Sequence, residues 1–505
     1  MSNKNIILVI SIFLVVLGLI KYQFNAFDHG VLSSKKEIQS SEKILGASTS
    51  QLDITLQDGD AATYTDFSPL IFGGSNPRIS NNEVWNQLET SGMTFMRVPL
   101  FVEHSVPRSS VADFKKNSNG IQSINNWNSS VVDKQSGLLK KAHEHGMKTM
   151  AVLEFSPAWL SHNGTEFGVP TDWEIYRKIV SELYKKNRNN IDFIEIWNEP
   201  DWDRFLNTRN SGLSREDAYI LIFRNAAEAI RSVDIEVNDG KYAQIGGPAL
   251  SKISNTTILQ KLLSNSELST YLNFVSLHNY SNHSELDISK IQMILSASTA
   301  SKLPIIISEW NFSSDSAATS SELYSDESIS YTAGQLIKMM SQGVYGANFF
   351  AIQPYEKPVP SLGHGHLSFF RSSSSAGTTL LPMAKSWRLM SKVLNLNMGT
   401  NKAGKLISGD GYQIMLVENS ENEKMILANN LNPETKIINI EIYGIKSTSL
   451  HKVEAHIAST TTEPDDIAGQ LFILPSNEKL KFRLLLTGNS AAGLRIQNGI
   501  QAIID

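Results

Sequence analysis

Two glutamates at the ends of apolar runs are the residues of this chain whose types and spacing best fit bond-breaking chemistry. Glu199 lies in IDFIEIWNEPDW, residues 191–202, and Glu309 lies in PIIISEWN, residues 304–311. Hydrolysis of a glycosidic bond needs two carboxyl groups. One protonates the leaving oxygen, and the other attacks the anomeric carbon or positions a water. The pair predicts this reaction if the fold brings both glutamates to the same place.

Eight short apolar, β-branched runs alternate with segments of helical spacing between residues 68 and 395, which predicts an α/β fold with a parallel sheet. The runs cover residues 70–74, 94–100, 148–155, 192–197, 243–248, 273–278, 304–310 and 345–352. Eight such strands close a (β/α)₈ TIM barrel. An open, doubly wound sheet is the structural alternative, but FGGSNPR after the first run lacks the glycine-rich phosphate turn of that fold.

The two ends of the chain predict further segments. From residue 396 to 505, short alternating runs separated by Asn, Gly, Pro and Asp predict an all-β sandwich, and residues 49–67 contain a strand, SQLDITLQ, that is a candidate to join it. Residues 1–24 contain IILVISIFLVVLGLI after a Lys, which is typical of a signal anchor or of a cleaved signal peptide. No small-x-small cleavage site stands just after residue 20, which favours the anchor. Residues 25–48 are predicted to be a linker. These segments predict an exported protein, which is attached to the membrane by the anchor or secreted after cleavage of the signal peptide.

Composition excludes several other classes of function. The net charge is −5 and there is no basic stripe, which argues against nucleic acid as a partner. The chain has no cysteine, so disulfides, thiolate metal sites and a cysteine nucleophile are excluded. No cofactor and no metal are predicted. His364 and His366 have no acidic partner nearby in the sequence, and we interpret them as loop or substrate contacts.

In a barrel, polar residues at the carboxyl ends of the strands are the ones expected to act on a substrate. Besides the two glutamates, those ends supply the following candidates: Arg97, Asn198, His278, Tyr280 and Trp310. Trp159, Trp202 and Trp310 are candidate surfaces on which a sugar could stack, with core packing as the alternative for each. Glu154 and Glu195 are interpreted as structural residues.

The neighbours of the two glutamates predict different protonation states for them. A cation at Arg97 and a hydrogen bond from Tyr280 would favour the ionised form of Glu309. Aromatic neighbours and the charge of Glu309 would raise the pKa of Glu199, which suits a general acid.

The wording FIEIWNEPD, SLHNY and IIISEWN resembles glycoside hydrolase family 39, a family of retaining barrel glycosidases that includes β-xylosidases, α-L-iduronidases and exopolysaccharide-associated endoglycosidases. The resemblance covers residues 68–395. It implies Glu199 as the acid/base and Glu309 as the nucleophile, with Asn198, His278, Tyr280 and Arg97 beside them, and a poly- or oligosaccharide substrate. The alternatives are a non-catalytic carbohydrate-binding surface protein on the same scaffold and an exo-acting enzyme on oligosaccharides. The motifs do not specify the sugar, the linkage or the oligomeric state.

Overall fold

The computed structural model divides the chain into two compact units, residues 70–317 with 344–378, and residues 1–69 with 318–343 and 379–505. The residues it describes are 8–11, 23–26, 50–57, 64–75, 82–107, 109–116, 127–280, 286–312, 325–352, 368–370, 380–395, 401–444, 451–473 and 479–497. His364, His366 and almost all of the predicted linker lie outside them.

The first unit is a closed barrel of eight parallel strands, so the predicted barrel is confirmed. Its strands are β1 (Gly73–Ser75), β2 (Phe95–Phe101), β3 (Lys148–Glu154), β4 (Phe193–Ile196), β5 (Gln244–Leu250), β6 (Phe274–Tyr280), β7 (Ile305–Asn311) and β8 (Gly346–Phe349). Each strand pairs in parallel with the next along the chain, and β8 pairs with β1 to close the ring. All eight strands fall within or beside the eight runs found in the sequence.

The inside of the barrel is filled by large side chains that come from six different elements. They form one buried cluster of Leu70, Phe95, Met150, Phe193, Phe274 and Ile306. Side chains from strands this far apart around the ring can meet only in its interior, and the barrel is therefore a packed core rather than a pore. Gly246 makes room for this packing, since a Cβ there would lie 2.5 Å from the Phe274 ring.

Helices separate successive strands, as the alternating pattern predicts. The longer ones are α1 (Asn82–Thr90), α2 (Ser129–Glu144), α3 (Trp173–Asn187), α4 (Arg215–Val237), α5 (Thr257–Ser264) and α6 (Ser289–Ser296). Shorter helical turns span Pro69–Ile71, Val102–Ser105, Val111–Lys116, Ala158–Leu160, Arg188–Asn190 and Ser266–Ser269. The side chain of Ser214 accepts a hydrogen bond from the Asp217 amide at 3.0 Å, so Ser214 caps α4.

The second unit contains two β-sheets that share one hydrophobic core. One sheet has the order Gln23–Ala26, Leu8–Ser11, Lys479–Leu486, Lys436–Tyr443, Ser50–Gln57. The other has the order Gly469–Ile473, His451–Ala458, Ser490–Gln497, Lys424–Asn430, Tyr412–Glu418, Asn401–Ala403, Thr65–Phe67, and Ile407–Gly409 pairs with Tyr412–Glu418. Ser50–Gln57 runs parallel to Lys436–Tyr443.

Two helices, α7 (Asp326–Ser341) and α8 (Ala384–Leu394), also belong to the second unit, although the alternating pattern over residues 68–395 predicts them as part of the barrel. Polar and apolar contacts both tie them to its sheet. The Asn429 side chain donates to the Ser330 carbonyl at 2.9 Å, and a Cβ at Gly493 would lie 2.5 Å from Val393. Helical periodicity predicts that such segments are helices, but it does not show which sheet they cover.

The predicted anchor in residues 1–24 is described only in part. Most of that segment lies outside the described residues, and Leu8–Ser11 is a strand that pairs with Gln23–Ala26 and with Lys479–Leu486. Among the residues that the structure describes, no helix is both long enough and apolar enough to span a bilayer.

Candidate active site

The carboxyl ends of the barrel strands bring the predicted polar residues into one buried cluster. Glu199 and Glu309 are 7% and 8% exposed, and Arg97, His278 and Asn198 are also buried. One oxygen of each glutamate and a ring nitrogen of His278 all lie within 4.8 Å of one another. Two runs more than 100 residues apart in sequence therefore place their carboxyl groups around one small space.

A β-bulge in β7 is what aims Glu309 into the barrel. Ile306 points inward, and the two-residue period of a strand would also point Ser308 inward and Glu309 outward. The register with β6 changes here, because Leu277 pairs with Ile307 but His278 pairs with Glu309. The extra residue reverses the alternation, so Glu309 reaches the interior.

Two donors hold the carboxylate of Glu309. Arg97 Nη1 donates to its Oε1 at 2.5 Å, and the Tyr280 hydroxyl donates to its Oε2 at 2.6 Å. Burial alone would raise the pKa of Glu309, but the charges of His278 and Arg97 and the Tyr280 hydrogen bond outweigh it and lower that pKa below its ordinary value. Glu309 is thus held ionised, as a nucleophile requires.

A second carboxylate, that of Glu195, holds Arg97 in place. Its Nε and Nη2 donate to Glu195 Oε2 at 2.8 and 2.6 Å, and Nη2 also donates to Asn198 Oδ1 at 2.9 Å. Arg97 and Glu195 are 3% and 0% exposed. Because the guanidinium is planar, contacts on several of its edges fix its orientation, and it can approach Glu309 in one way only. Glu195 therefore supports the site through Arg97.

The chain leaves β4 through a strained turn that presents Glu199. Trp197 and Glu199 have φ values of 70° and 47°, a region that non-glycine residues seldom occupy. The turn is fixed by hydrogen bonds from the Trp197 ring nitrogen to the Phe205 carbonyl at 2.7 Å and from the Glu199 amide to the Ala249 carbonyl at 3.1 Å. Strained backbone of this kind persists where the surroundings determine it, and such residues cluster at active sites.

Glu199 has surroundings that differ from those of Glu309. Its Oε1 lies 2.7 Å from His278 Nδ1. Burial raises the pKa of Glu199, the contact with His278 opposes this, and the charge of Glu309 adds to the rise; the net effect is a raised pKa. Glu199 is accordingly the member of the pair that keeps its proton to higher pH.

His278 lies between the two glutamates. Its Nδ1 is 2.7 Å from Glu199 and 3.4 Å from Glu309 Oε2. Burial opposes a charge on the ring, but the charge of Glu309 and the contact with Glu199 outweigh burial and raise the pKa of His278. Protonation of either carboxyl group thus changes the charge next to the same nitrogen of His278.

The three tryptophans predicted to stack on sugar differ in position. Trp310 is fully buried with its ring edge-on to Phe349 at 5.1 Å, so neither of its faces is open to a sugar. Trp159 is partly buried and leans on Phe114 at 5.5 Å. Trp202 is 44% exposed and is the most exposed of the three.

Asp201 also supports the site, and sequence reasoning gave it no role. Its carboxylate accepts hydrogen bonds from the Ser251 amide and hydroxyl, both at 2.8 Å, and from Asn255 at 3.1 Å. These contacts join the loop after β4 to the loop after β5. The WNEPD motif contains Asp201, but nothing local in the sequence indicates which loop it would bind.

Glu199, His278 and Glu309 have donor atoms close enough to hold a metal ion, and within the described part of the chain no other such group was found. The existing contacts compete with that role. Arg97 places a positive charge 2.5 Å from Glu309, and His278 Nδ1 already lies 2.7 Å from Glu199. The arrangement fits proton transfer between paired carboxyl groups better than cation binding.

Comparison with known proteins gives one family match. Residues 171–370, which include both glutamates, match the model of glycosyl hydrolases family 39. No curated protein matches the sequence.

Solved structures show the same fold at low sequence identity. A GH30 endoxylanase from Clostridium papyrosolvens C71 is 14% identical with a TM-score of 0.61, over 88% of this chain and 100% of that one. A GH39 β-xylosidase from Caulobacter crescentus is 15% identical with a TM-score of 0.56, over 88% and 99%. A GH39 enzyme from Xanthomonas axonopodis pv. citri is 13% identical with a TM-score of 0.53, over 90% and 99%. At these identities the structures establish the fold.

The family match covers the segment between β3 and the end of the barrel, which supplies Glu199, His278, Tyr280 and Glu309. The resemblance to glycoside hydrolase family 39 that the motifs predict is thereby confirmed, and the chain is a glycosidase.

Proposed function

We propose that the protein is a retaining glycoside hydrolase that cleaves O-glycosidic bonds of an extracellular or envelope polysaccharide, with Glu199 as acid/base and Glu309 as nucleophile. The observation that carries the retaining mechanism is the short gap between the carboxyl groups. One oxygen of each lies within 4.8 Å of the other. Retaining enzymes separate their carboxyl groups by about 5 to 5.5 Å, whereas inverting enzymes need about 6.5 to 9.5 Å to admit a water.

In the first step a Glu309 oxygen forms a bond to the anomeric carbon while the glycosidic C–O bond breaks. The electron pair of that bond stays on the leaving oxygen, which takes the proton of Glu199. Arg97 and Tyr280 hold the Glu309 carboxylate in place for attack. The products are a glycosyl ester on Glu309 and a free alcohol.

In the second step the ionised Glu199 removes a proton from water as the water oxygen bonds to the anomeric carbon. The ester bond breaks, and Glu309 leaves as a carboxylate that Arg97 and Tyr280 again stabilise. His278 lies 2.7 Å from Glu199 and can stabilise its charge between the two steps. Two inversions give net retention of configuration.

The stereochemistry of the first product tests this mechanism. Proton NMR recorded during hydrolysis of an aryl glycoside should show the substrate's own anomer forming first and the other anomer appearing only by mutarotation. An opposite first anomer would contradict the assignment of Glu309 as nucleophile, even if hydrolysis is fast.

The pH dependence of kcat/KM should be bell-shaped. Activity falls at low pH as Glu309, with its lowered pKa, becomes protonated, and it falls at high pH as Glu199, with its raised pKa, loses its proton. In the variant Tyr280→Phe the acidic limb should move to higher pH, because a hydrogen bond that lowers the pKa of Glu309 is lost. Initial rates across pH for both proteins check this, and an acidic limb at the same pH in both would contradict it.

The proposed substrate class has separate support. The apolar stretch near the start of the chain favours export, which would place the enzyme among extracellular or envelope glycans, held at the membrane or secreted. Two of the similar structures are named endoxylanase and β-xylosidase, and aryl β-xylosides and xylan are therefore the first substrates to test. The exo-acting alternative predicts that aryl glycosides and oligosaccharides, but not polymers, are hydrolysed.

A further inference from the structure

Glu154 is the last residue of β3, and neither chemical step uses it. Its direction follows from the strand. Met150 belongs to the interior cluster of the barrel, and side chains two and four residues further along point the same way, so Glu154 also points inward at the carboxyl end. It thus faces the mouth in which Glu199 and Glu309 lie.

The carboxyl group of Glu154 makes no hydrogen bond or ion pair with any residue that the structure describes. The side chain is only partly buried. The contrast with its neighbours is clear, since Glu195 binds Arg97 and Glu103 accepts from the Phe155 amide at 2.7 Å. Glu154 therefore has acceptor capacity left for a ligand.

The charges of the catalytic centre act directly on Glu154. Burial raises its pKa to about 7; the charge of Arg97 opposes this, and the charge of Glu309 adds to it. Arg97 does not form a pair with Glu154, because its donors already contact Glu195, Glu309 and Asn198. Glu154 lies close to the reacting groups and lacks a partner of its own.

We propose that Glu154 is a specificity-determining residue that accepts a hydrogen bond from a donor on the sugar between Glu199 and Glu309, and that it disfavours a sugar bearing a carboxylate there. This inference rests on the proposed function. The shared chemistry of the ligand is an N–H or O–H donor, which a ring hydroxyl or a protonated amine can supply. Above a pH of about 7, where Glu154 is mostly ionised, an anionic substituent would meet like charge and would leave an acceptor unpaired.

The test compares the wild type with Glu154→Gln, Glu154→Ala and the control Glu144→Gln. Glu144 lies at the end of α2, with its side chain 46% exposed. Each protein is assayed with the wild type's best 4-nitrophenyl glycoside, its monodeoxy derivatives, its 2-amino-2-deoxy analogue and its uronide. Circular dichroism and thermal melting confirm that each variant is folded.

For Glu154→Ala we expect kcat/KM to fall about 10- to 100-fold, the range for losing a hydrogen bond to a charged group. With the wild type, kcat/KM for one monodeoxy derivative should be lower than for the parent glycoside by a similar factor. With Glu154→Ala these two substrates should have almost equal kcat/KM, because the mutation and the deoxy substitution remove the same contact. If Glu154 had only a structural role, the loss in kcat/KM from the mutation would add to the loss from the deoxy substitution at every position of the sugar. The amino analogue shows whether the donor on the sugar is an ammonium or a hydroxyl group. The ratio of kcat/KM for the neutral glycoside to that for the uronide should be smaller with Glu154→Gln than with the wild type.

Two failures can be told apart. If the wild type hydrolyses the glycosides but the losses add for every monodeoxy derivative, or the uronide preference stays the same, the role of Glu154 is overturned and the proposed function stands. If the wild type hydrolyses neither these glycosides nor a polysaccharide such as xylan, the proposed function is overturned. Calorimetry then measures the binding of xylo-oligosaccharides to the wild type and to Glu154→Gln, which tests whether Glu154 contacts the sugar. Equal dissociation constants would overturn the role of Glu154 as well.

Discussion

Replacing Glu309 with Gln is expected to lower kcat by about 10⁴-fold or more, the scale on which removal of a covalent nucleophile acts. The amide has nearly the shape of the carboxylate but cannot form the glycosyl ester, and it carries no charge for Arg97 to orient. Arg97 keeps its contacts with Glu195 and Asn198, so the fold should survive. Turnover of an aryl glycoside and the melting temperature measure the two effects separately.

Glu309→Ala provides a second test of the same residue. It opens space where the nucleophile was, so added azide can attack the anomeric carbon directly and give a glycosyl azide of inverted configuration. Glu144→Gln is the matched control, a Glu-to-Gln change on the outside of α2 that should leave kcat unchanged. A Glu309→Gln protein with more than a tenth of wild-type kcat would exclude Glu309 as the nucleophile. Retained binding without turnover in the wild type would instead favour the carbohydrate-binding alternative.

The sequence was most informative where a pattern repeats along the chain. Eight apolar runs predict eight strands, and counting them places Glu199 after the fourth and Glu309 on the seventh. The carboxyl ends of parallel strands meet at one end of a barrel. That step predicts proximity between residues 110 positions apart without any knowledge of distances.

The details that aim the side chains could not be predicted in this way. The bulge at Ser308 reverses which face Glu309 occupies, and the positive φ values of Trp197 and Glu199 depend on contacts with Phe205 and Ala249. These features arise from pairing between strands and loops. A single sequence contains local preferences only, and no residue near Ser308 marks an extra position in the strand.

Residue type alone also did not show which residues support the catalytic pair, and it predicted sugar stacking for an aromatic residue that is buried. Glu195 looked like a barrel residue, yet it binds the guanidinium that holds Glu309. Trp310 looked like a sugar platform because it follows Glu309, but the bulge that turns Glu309 inward leaves Trp310 packed on Phe349. The direction of a side chain at a strand end depends on register, and register requires the partner strand.

Replacing Glu199 with Gln should have a large effect that depends on the leaving group. With a poor leaving group such as a sugar hydroxyl, kcat should fall about 10²- to 10⁴-fold, the contribution of general acid catalysis. With 2,4-dinitrophenol as the leaving group, the first step needs no proton, so the glycosyl ester on Glu309 should form at close to the normal rate. It should then accumulate, because no base activates water in the second step.

This accumulation makes Glu199→Gln more diagnostic than its loss of rate. A burst of dinitrophenol equal to the enzyme concentration should precede a slow steady state, and intact-mass spectrometry should detect one sugar unit on the protein. Azide, which needs no base, should restore turnover and give a product of retained configuration, the opposite of the outcome with Glu309→Ala. Glu199 and Glu309 lie within 4.8 Å of each other and share His278, so only their chemical roles can produce opposite stereochemistry from two such close carboxyl groups. Equal loss on good and poor leaving groups, with no burst, would exclude Glu199 as the acid/base.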